Sequence, residues 1–485
     1  MKKQFLLICS ILCLCIVGSD AQYTDLLNFN GTTNPKGFSP QGSLTPSITG
    51  DTLFGMTSGL GNNGNPMAAG NIFMIDTNGS NYKDLLNFNG LNSPQGFTPY
   101  GSLTRSGNVM YGMTYNGGGA FDGGCIFSVN TDGTGYRDLL NFDSINGDLP
   151  FGSLTLSGGV LYGMTAFGVT NYEQFGGGGV FSIHTDGSSF KELVGFNGTN
   201  GDQPIGSLTL SGKTLFGMTS HGGIDSGVIF SVDTNGNRYK VLHDFIGGTD
   251  GSYPTGSLTL SGSILYGMTW GGGAYHSGCI FSIDTDGNNY KDLFDFNSNT
   301  NVGCAPAGDL LLSGNKLYGM TQAGGANGLA NLFSINTDGS GYTIMLNFSG
   351  TTGPYPGASP TYGGLILLGK MLYGITSQGG THNDGLIFKV DTSNNPASIN
   401  TVSSNLSSVS LSPNPNNGQF TIQLPVVSDQ LSVQVYNTLG EMVYQTKITQ
   451  GKSHISLPDA ESGVYLYRII NKDGTIRENG KFIVE

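Results

Sequence analysis

The sequence predicts an all-β protein, a seven-bladed β-propeller followed by a small C-terminal immunoglobulin-like β-sandwich. One Gly-rich repeat recurs seven times at intervals of about 50 to 57 residues along the 485-residue chain, and such periods are typical of repeat architectures. Each repeat contains four short runs rich in β-branched and aromatic residues, separated by turn signals. Near the C-terminus the composition changes, and alternating polar and apolar residues predict further strands.

Residues 1–21 have the pattern of a signal peptide. Two lysines follow the initiator methionine, and the apolar run from Phe5 to Val17 is too short for a good membrane span. Small residues from Gly18 to Ala21 predict cleavage before Gln22. A short membrane anchor is the alternative. We therefore predict export, with no transmembrane segment in the mature chain.

Residues 22–392 form the predicted propeller, and we call the four strands of each repeat a, b, c and d. Strand b carries an aromatic-Gly-Met or aromatic-Gly-Ile motif, with its glycine at Gly55, Gly112, Gly163, Gly217, Gly267, Gly319 and Gly374. Because glycine weakens a strand, its recurrence predicts a close backbone approach, which we expect where blades converge. Ser-Gly and Asp-Thr-Asp/Asn-Gly sequences predict the a–b and c–d turns.

The two ends of the repeat region predict a closed ring. The first recognisable strand, Tyr23 to Phe29, has the sequence of a d strand, whereas the last, Leu386 to Val390, has that of a c strand. Pairing between them would complete the seventh blade and remove an exposed edge.

Composition limits the classes of partner and cofactor. With 20 Lys and Arg against 33 Asp and Glu, the net charge is -13, which argues against nucleic acid as a partner. Outside the predicted leader only Cys125, Cys279 and Cys304 remain, an odd number that predicts no complete disulfide framework. We expect no cofactor and no metal. The Asp-Thr-Asp-Gly turns invite a calcium interpretation, but they are short and predict Asx-stabilised hairpin turns.

Residues 393–408 are polar and predict a linker, and residues 409–485 predict the small β-sandwich. In the latter, Val433 to Tyr436 and Met442 to Tyr444 flank a predicted hairpin turn. Two further apolar runs follow, Val464 to Ile469 and Phe482 to Val484.

The repeat region resembles the Gly-rich tandem repeat of the choice-of-anchor GloVer-repeat proteins. The resemblance covers roughly residues 23 to 392 and rests on copies such as Gly272 to Ile283, with the sequence GGAYHSGCIFSI. It implies a secreted or cell-surface location and no particular chemistry.

The C-terminal region resembles the type A sorting domain of the type IX secretion system of Bacteroidota. Four motifs carry this resemblance, in chain order Leu411 to Pro415, Val435 to Gly440, Ser462 to Tyr465 and Gly480 to Val484. It implies passage through the periplasm and contact of residues 409–485 with the type IX secretion machinery. Surface attachment or release would follow.

The b–c loops are where we expect a ligand. Because chain direction alternates between strands, the d–a and b–c connections share one face of the ring. Aromatic residues on such loops could stack against sugars or anchor a protein partner, or they could fold down and plug the ring. The candidate binding residues are Tyr115, Phe121, Tyr172, Phe175, Trp270, Tyr275, His276 and His382.

These features favour a non-catalytic binding module for a glycan or a protein over an enzyme. The loop histidines lack a repeated acidic partner with ligand spacing, so we assign no catalytic residue. The alternatives are a polysaccharide-active hydrolase or lyase that uses the same face, with loop acids such as Asp122, Glu173, Asp225 and Asp384, and a structural surface component.

Overall fold

The computed structural model describes residues 23–31, 36–59, 69–88, 95–143, 145–168, 177–393, 410–412, 416–423, 431–437, 442–448, 452–457, 460, 462–470 and 476–484. These residues form strands and turns without an α-helix, so none of them belongs to a helix that could cross a membrane. The predicted signal peptide and nearly all of the predicted linker lie outside the described residues. The chain divides into two compact parts, Met1–Pro396 and Ala397–Glu485.

Among its described residues the first part contains seven antiparallel sheets, each with a path of four strands in the order a, b, c, d. Sheet 1 has a split first strand and comprises β2 (Phe38–Pro40), β3 (Thr45–Pro46), β4 (Thr52–Gly59), β5 (Asn71–Asp76) and β6 (Lys83–Asn87). Sheet 2 comprises β7 (Thr104–Ser106), β8 (Val109–Thr114), β9 (Cys125–Asn130) and β10 (Arg137–Asn141). Sheet 3 comprises β11 (Thr155–Ser157), β12 (Val160–Thr165), β13 (Gly179–His184) and β14 (Lys191–Gly195).

The later sheets repeat this pattern. Sheet 4 comprises β15 (Thr209–Ser211), β16 (Thr214–Thr219), β17 (Val228–Asp233) and β18 (Lys240–Asp244). Sheet 5 comprises β19 (Thr259–Ser261), β20 (Ile264–Thr269), β21 (Cys279–Asp284) and β22 (Lys291–Asp295). Sheet 6 comprises β23 (Leu311–Ser313), β24 (Lys316–Met320), β25 (Asn331–Asn336) and β26 (Thr343–Asn347). Sheet 7 comprises β27 (Ile366–Leu368), β28 (Met371–Thr376), β29 (Leu386–Asp391) and the N-terminal strand β1 (Tyr23–Asn28).

The predicted pairing of the first strand with the last is confirmed. Strand β1 runs antiparallel to β29, with Tyr23 opposite Val390 and Asn28 opposite Leu386. The Tyr23 ring stacks on Phe388 at 5.7 Å between centroids. The N-terminal strand therefore supplies the d strand that the seventh repeat lacks.

The recurrent glycine of strand b lies under a phenylalanine ring of its own sheet. In sheet 5, Gly267 is the register partner of Phe281, and a Cβ built on the glycine would lie 2.4 Å from Phe281 Cζ. The same arrangement occurs in all seven sheets. We expected a close approach at this glycine, but the neighbour is the strand c side chain rather than a converging blade.

A second set of phenylalanines joins each sheet to the next. Phe245 follows the d strand of sheet 4 and packs edge-on against Phe281 of sheet 5, with 5.5 Å between centroids. Equivalent pairs link all seven sheets, and Phe29 with Phe73 links sheet 7 back to sheet 1. The remaining pairs are Phe88–Phe127, Phe142–Phe181, Phe196–Phe230, Phe296–Phe333 and Phe348–Phe388.

Glycines at the start of each repeat touch one another in a closed series. A Cβ on Gly206 would lie 2.1 Å from Gly256 O, and one on Gly363 would lie 2.7 Å from Gly42 O. The series runs through Gly42, Gly101, Gly152, Gly206, Gly256, Gly308 and Gly363 and returns to Gly42. No side chain larger than hydrogen fits at these contacts, which explains this glycine in every repeat.

The second part contains two antiparallel sheets in its described residues. One has the order β30 (Ser410–Ser412), β31 (Gln419–Gln423) and β34 (Lys452–Ser456). The other has the order β33 (Met442–Ile448), β32 (Leu431–Tyr436), β35 (Gly463–Ile470) and β36 (Ile476–Val484). Buried residues of both sheets share one core, in which Phe420 and Phe482 lie 4.3 Å apart between centroids.

Candidate functional site

The d–a and b–c connections of the repeat part lie side by side, as predicted. Short backbone bridges join them, for example Asp202 to His221 and Ser252 to Gly271. Equivalent bridges occur at Phe97–Asn116, Asp148–Phe167, Cys304–Ala323 and Ala358–Gln378. We call the surface formed by these connections the loop face.

Each repeat has a residue of unusual backbone conformation directly before a proline; it lies in the d–a connection, or in sheet 1 within β2. Tyr253, before Pro254, has a φ of 54°, and its carbonyl accepts a hydrogen bond from Trp270 N at 3.1 Å. All seven repeats have a positive φ here, at Ser39, Thr98, Leu149, Gln203, Tyr253, Ala305 and Ser359. Such a conformation costs about 1 to 3 kcal/mol in a non-glycine residue and often accompanies function.

A depression of ≈ 450 Å³ opens on the loop face. It lies beside the closed series of glycines that begins at Gly42, which we call the ring glycines. We call the depression the mouth pocket. Its lining consists of aromatic, aliphatic and uncharged polar side chains: Ile205, Ser220, His221, Tyr253, Thr255, Trp270, Ala307, Gln322 and Tyr362. Four of these, Ile205, Thr255, Ala307 and Tyr362, directly precede a ring glycine. Ser220, Trp270 and Gln322 directly follow the Met-Thr that ends strand b.

Beside the mouth pocket, four aromatic rings form a cluster, and Tyr362 belongs to both. Tyr100 stacks on Phe151 at 5.2 Å, and Tyr115 lies 4.5 Å from Phe151 between centroids. Tyr362 lies 5.9 Å from Phe151. Burial raises the pKa values of the Tyr100 and Tyr115 phenols, so both remain neutral hydrogen-bonding groups.

Hydrogen bonds orient the polar groups of the mouth pocket. The Trp270 indole Nε1 donates to Gln322 Oε1 at 3.2 Å. Ser220 Oγ donates its single hydrogen to Gln203 O at 2.7 Å and lies 2.9 Å from His221 Nδ1. His221 Nδ1 therefore carries the proton of that contact.

The structure brings two of the predicted binding residues to this site. Trp270 lines the mouth pocket and is 46% exposed, and Tyr115 belongs to the aromatic cluster. Phe121, Tyr275, His276 and His382 lie on exposed loop segments outside the pocket lining, and His382 Nε2 lies 3.3 Å from Asn30 Nδ2. Tyr172 and Phe175 lie outside the described residues.

Sequence analysis missed Tyr253, Gln322, Tyr100 and Tyr362, and it considered His221 only as one of the loop histidines without an acidic partner. The signal was present, because the residues beside the repeated proline and after the Met-Thr of strand b differ from repeat to repeat within a constant frame. Positions that vary on a constant scaffold are where specificity resides.

Large apolar side chains are exposed mainly on the loop face. Of the nine exposed large hydrophobic residues described in the repeat part, only Ile48 lies in an a–b turn. The other eight, in or beside d–a and b–c connections, are Phe38, Phe121, Ile145, Ile224, Ile246, Tyr253, Trp270 and Tyr275. This distribution distinguishes the loop face from the face that carries the a–b and c–d turns.

The acidic c–d turns are Asx turns. Asp286 Oδ1 accepts the Asn288 backbone N–H at 3.0 Å, and Asp132 Oδ1 accepts that of Thr134 at 2.9 Å. The Thr134 hydroxyl and its backbone N–H lower the pKa of Asp132, and the backbone and side-chain hydrogen bonds from Asn288 lower that of Asp286. Across the described residues, no three His, Cys, Asp or Glu side chains are grouped to hold a metal ion.

One pair of carboxylates shares a site, but it lies on strand β22 and not in the mouth pocket lining. Burial and the nearby Asp295 charge raise the pKa of Asp292 to about 7. Asp295 Oδ1 also accepts the Ala274 backbone N–H of the b–c loop at 2.8 Å. In sheet 6, Asn347 Oδ1 makes the equivalent bond to Ala326 N at 2.8 Å.

We expect Asp295→Asn to stabilise the protein above pH 7 and to have little effect below pH 4. The variant keeps the loop hydrogen bond, as Asn347 does in sheet 6, but removes the repulsion. Because the folded state raises the Asp292 pKa, it binds a proton more tightly than the unfolded state, so wild-type stability falls as pH rises from about 4 to about 7. Asp292 is only partly buried and still accessible to solvent, so screening limits the gain to about 1 kcal/mol.

Urea titrations at several pH values measure this gain. Asn347→Asp is the matched reverse change, and we expect little effect because Thr343 and Ile344 of β26 supply no neighbouring carboxylate. An equal gain in stability for Asp295→Asn at pH 4 and pH 8 would contradict repulsion between the two carboxylates as its cause.

Comparison with known families supports both resemblances. Residues 15–173, 94–278 and 224–418 match the family model described as Gloeobacter/Verrucomicrobia repeat. Residues 410–485 match the model described as secretion system C-terminal sorting domain. Both family resemblances predicted from the sequence are therefore confirmed.

Similarity to individual proteins is more limited. A curated relative, ulvan lyase NLR42 of Nonlabens ulvanivorans, is 30% identical over 118 residues, which cover 24% of this chain and 22% of the relative. The structure of PorZ, a surface component of the type IX secretion system of Porphyromonas gingivalis, has a TM-score of 0.45 at 14% identity and covers 95% of this chain and 60% of that one. The β-propeller domain of the Trilobed protease of Pyrococcus furiosus has a TM-score of 0.43 at 10% identity. This match covers 74% of this chain and 95% of that one. At these TM-scores neither structure carries an inference about ligand or activity.

Proposed function

The chain belongs to the Gloeobacter/Verrucomicrobia repeat family, and from that premise we propose that it is a binding module that takes up a glycan through the mouth pocket. Its C-terminal sorting domain makes it a secreted or cell-surface protein exported via the periplasm. In this proposal, residues 22–392 form a seven-bladed β-propeller and residues 393–408 a linker. Residues 409–485 form an immunoglobulin-like sandwich that engages the type IX secretion machinery.

One observation carries the ligand assignment. In sheet 5, the residue before the proline, the residue before the ring glycine and the residue after strand b all line the mouth pocket, as Tyr253, Thr255 and Trp270. A constant β frame thus presents variable side chains at one opening, as binding scaffolds do. Aromatic side chains beside a few oriented polar groups suit a sugar ring, which has an apolar face and hydroxyl edges.

The rival function is a polysaccharide hydrolase or lyase that acts at the same face. The ring centroids of His221 and Tyr253 lie 5.1 Å apart, and these two groups could exchange protons with a sugar. A hydrolase of the usual kind needs two carboxyl groups about the bond it cleaves, and the mouth pocket lining contains none. Binding therefore has stronger support than hydrolysis, and a lyase reaction would have to use His221 and Tyr253.

We expect Trp270→Ala to weaken glycan binding at least tenfold. The variant would lose the indole face on which a sugar stacks and the hydrogen bond that orients the Gln322 amide. Together these losses should reduce the binding free energy by about 1.4 kcal/mol or more. A glycan array probed with the full secreted chain measures the loss.

Tyr275→Ala is the matched control, because Tyr275 is an exposed aromatic residue outside the pocket lining. Binding that is lost with Tyr275→Ala and kept with Trp270→Ala would place the site on the outer loops. Capture of a protein on Phe121, Ile145 or Ile246, with no glycan bound, would favour a protein partner. Release of shortened or unsaturated sugars would favour the enzyme.

A further inference from the structure

We propose that the mouth pocket and the adjoining aromatic cluster together form a continuous subsite for a neutral oligosaccharide and exclude uronic acid or sulfated sugars. This inference rests on the proposed function and names the class of glycan. It concerns the charge of the ligand and its length, neither of which the family membership specifies.

The lining of the site is uncharged. None of the side chains of the mouth pocket or of the aromatic cluster is Asp, Glu, Lys or Arg. A carboxylate or sulfate on a bound sugar would therefore lose its hydration without gaining a lysine or arginine partner, which is costly. Hydroxyl groups, in contrast, find donors and acceptors in Ser220, His221, Thr255 and Gln322.

Two aspartates adjoin residues of the site, and their charge has the wrong sign for an anion. Asp202 pairs through its backbone with His221, and Asp148 contributes to the raised pKa of Tyr115. The whole chain also has a net charge of -13. Each of these charges would repel an anionic polysaccharide and would leave a neutral one unaffected.

The site is longer than one sugar. Trp270 and Tyr253 lie in the mouth pocket, and Tyr362 joins that pocket to Phe151 and Tyr100 in the cluster. These rings pack against one another and are partly buried, so their remaining accessible faces and edges extend the apolar surface beyond the mouth pocket. We therefore expect affinity to rise with chain length from the monosaccharide to about a tetrasaccharide.

The protein contains its own reporter for this experiment, because Trp270 is its single tryptophan. We expect neutral β-glucan, mannan or xylan oligosaccharides to shift or quench Trp270 emission in the full secreted chain. Oligogalacturonate, alginate and chondroitin sulfate oligosaccharides should leave it unchanged. The Kd for the neutral ligand should change less than about twofold between 50 mM and 500 mM NaCl, because no charge pair is formed.

Two variants that keep the reporter, one in the mouth pocket and one in the aromatic cluster, complete the test. Gln322→Ala should weaken binding of the neutral ligand about tenfold. Phe151→Leu should weaken binding of the longer oligosaccharides but not of the monosaccharide. Phe121→Ala should leave the affinity for both unchanged. Emission changes with anionic sugars alone would overturn the neutral assignment and leave the glycan-binding function standing. The absence of any emission change with either class would overturn both proposals.

Discussion

Replacement of Phe281 by alanine is expected to lower the free energy of unfolding of the repeat part by about 3 to 5 kcal/mol. The side chain is fully buried and lies over Gly267 of its own sheet. Its ring also contacts Phe245 of the preceding sheet and Tyr290 at 5.6 Å. The variant therefore removes a contact within the sheet and a contact between sheets. Calorimetric unfolding measures the loss, and Phe121→Ala, an exposed change, should have little effect.

A double-mutant cycle with Gly267 tests whether the ring makes the contact described. Alanine normally stabilises a strand relative to glycine by about 0.5 to 1 kcal/mol. At Gly267 its methyl would meet Phe281 Cζ, so we expect Gly267→Ala to cost about 2 kcal/mol in the wild-type protein. In the Phe281→Ala background the same change should become neutral or stabilising. A stabilising Gly267→Ala in the wild-type protein would contradict the close approach.

The repeating pattern made most of the strands of the repeat part predictable. Period-two alternation around residues such as Ile280 and Phe281 predicts strand c, and the Asp-Thr-Asp-Gly sequence predicts the turn that follows it. The tandem order of the repeats also predicted the pairing of β1 with β29, which is a contact between the two ends of the repeat region. The reason for the glycine of strand b was not predictable, because it depends on which way the Phe281 ring turns over the sheet.

The mouth pocket was harder to predict, and the backbone explains why. A residue before proline normally adopts an extended conformation, whereas Tyr253 has a φ of 54°. A prediction from the sequence therefore leaves this residue in an ordinary extended connection. Composition alone pointed to the longer b–c loops, where Phe121 and Tyr275 are exposed at some distance in sequence from strand b. Trp270 was predictable because it directly follows that strand.

Removal of residues 22–29 is expected to destabilise the repeat part more than any single substitution. Strand β1 buries Leu26 and Leu27, and the adjoining Phe29 is fully buried against Phe73. Burial of such side chains is worth about 1.5 to 3 kcal/mol each, so their combined loss approaches the whole stability of a typical domain. The truncation would also leave β29 as an unpaired edge, which promotes aggregation. Circular dichroism and light scattering measure both effects.

Complementation in trans separates a missing closure from general damage. A synthetic peptide of residues 23–31 should restore cooperative unfolding to the truncated protein, because its backbone can add to the free edge of β29 and Phe29 can again pack against Phe73. A peptide with Phe29 replaced by alanine should restore less, and a scrambled peptide should restore nothing. Phe142→Ala, at an internal junction between sheets, should cost as much as Phe29→Ala if the closing junction is energetically equivalent to the others. A truncated protein that unfolds at the wild-type temperature without added peptide would show that the ring does not depend on this strand for closure.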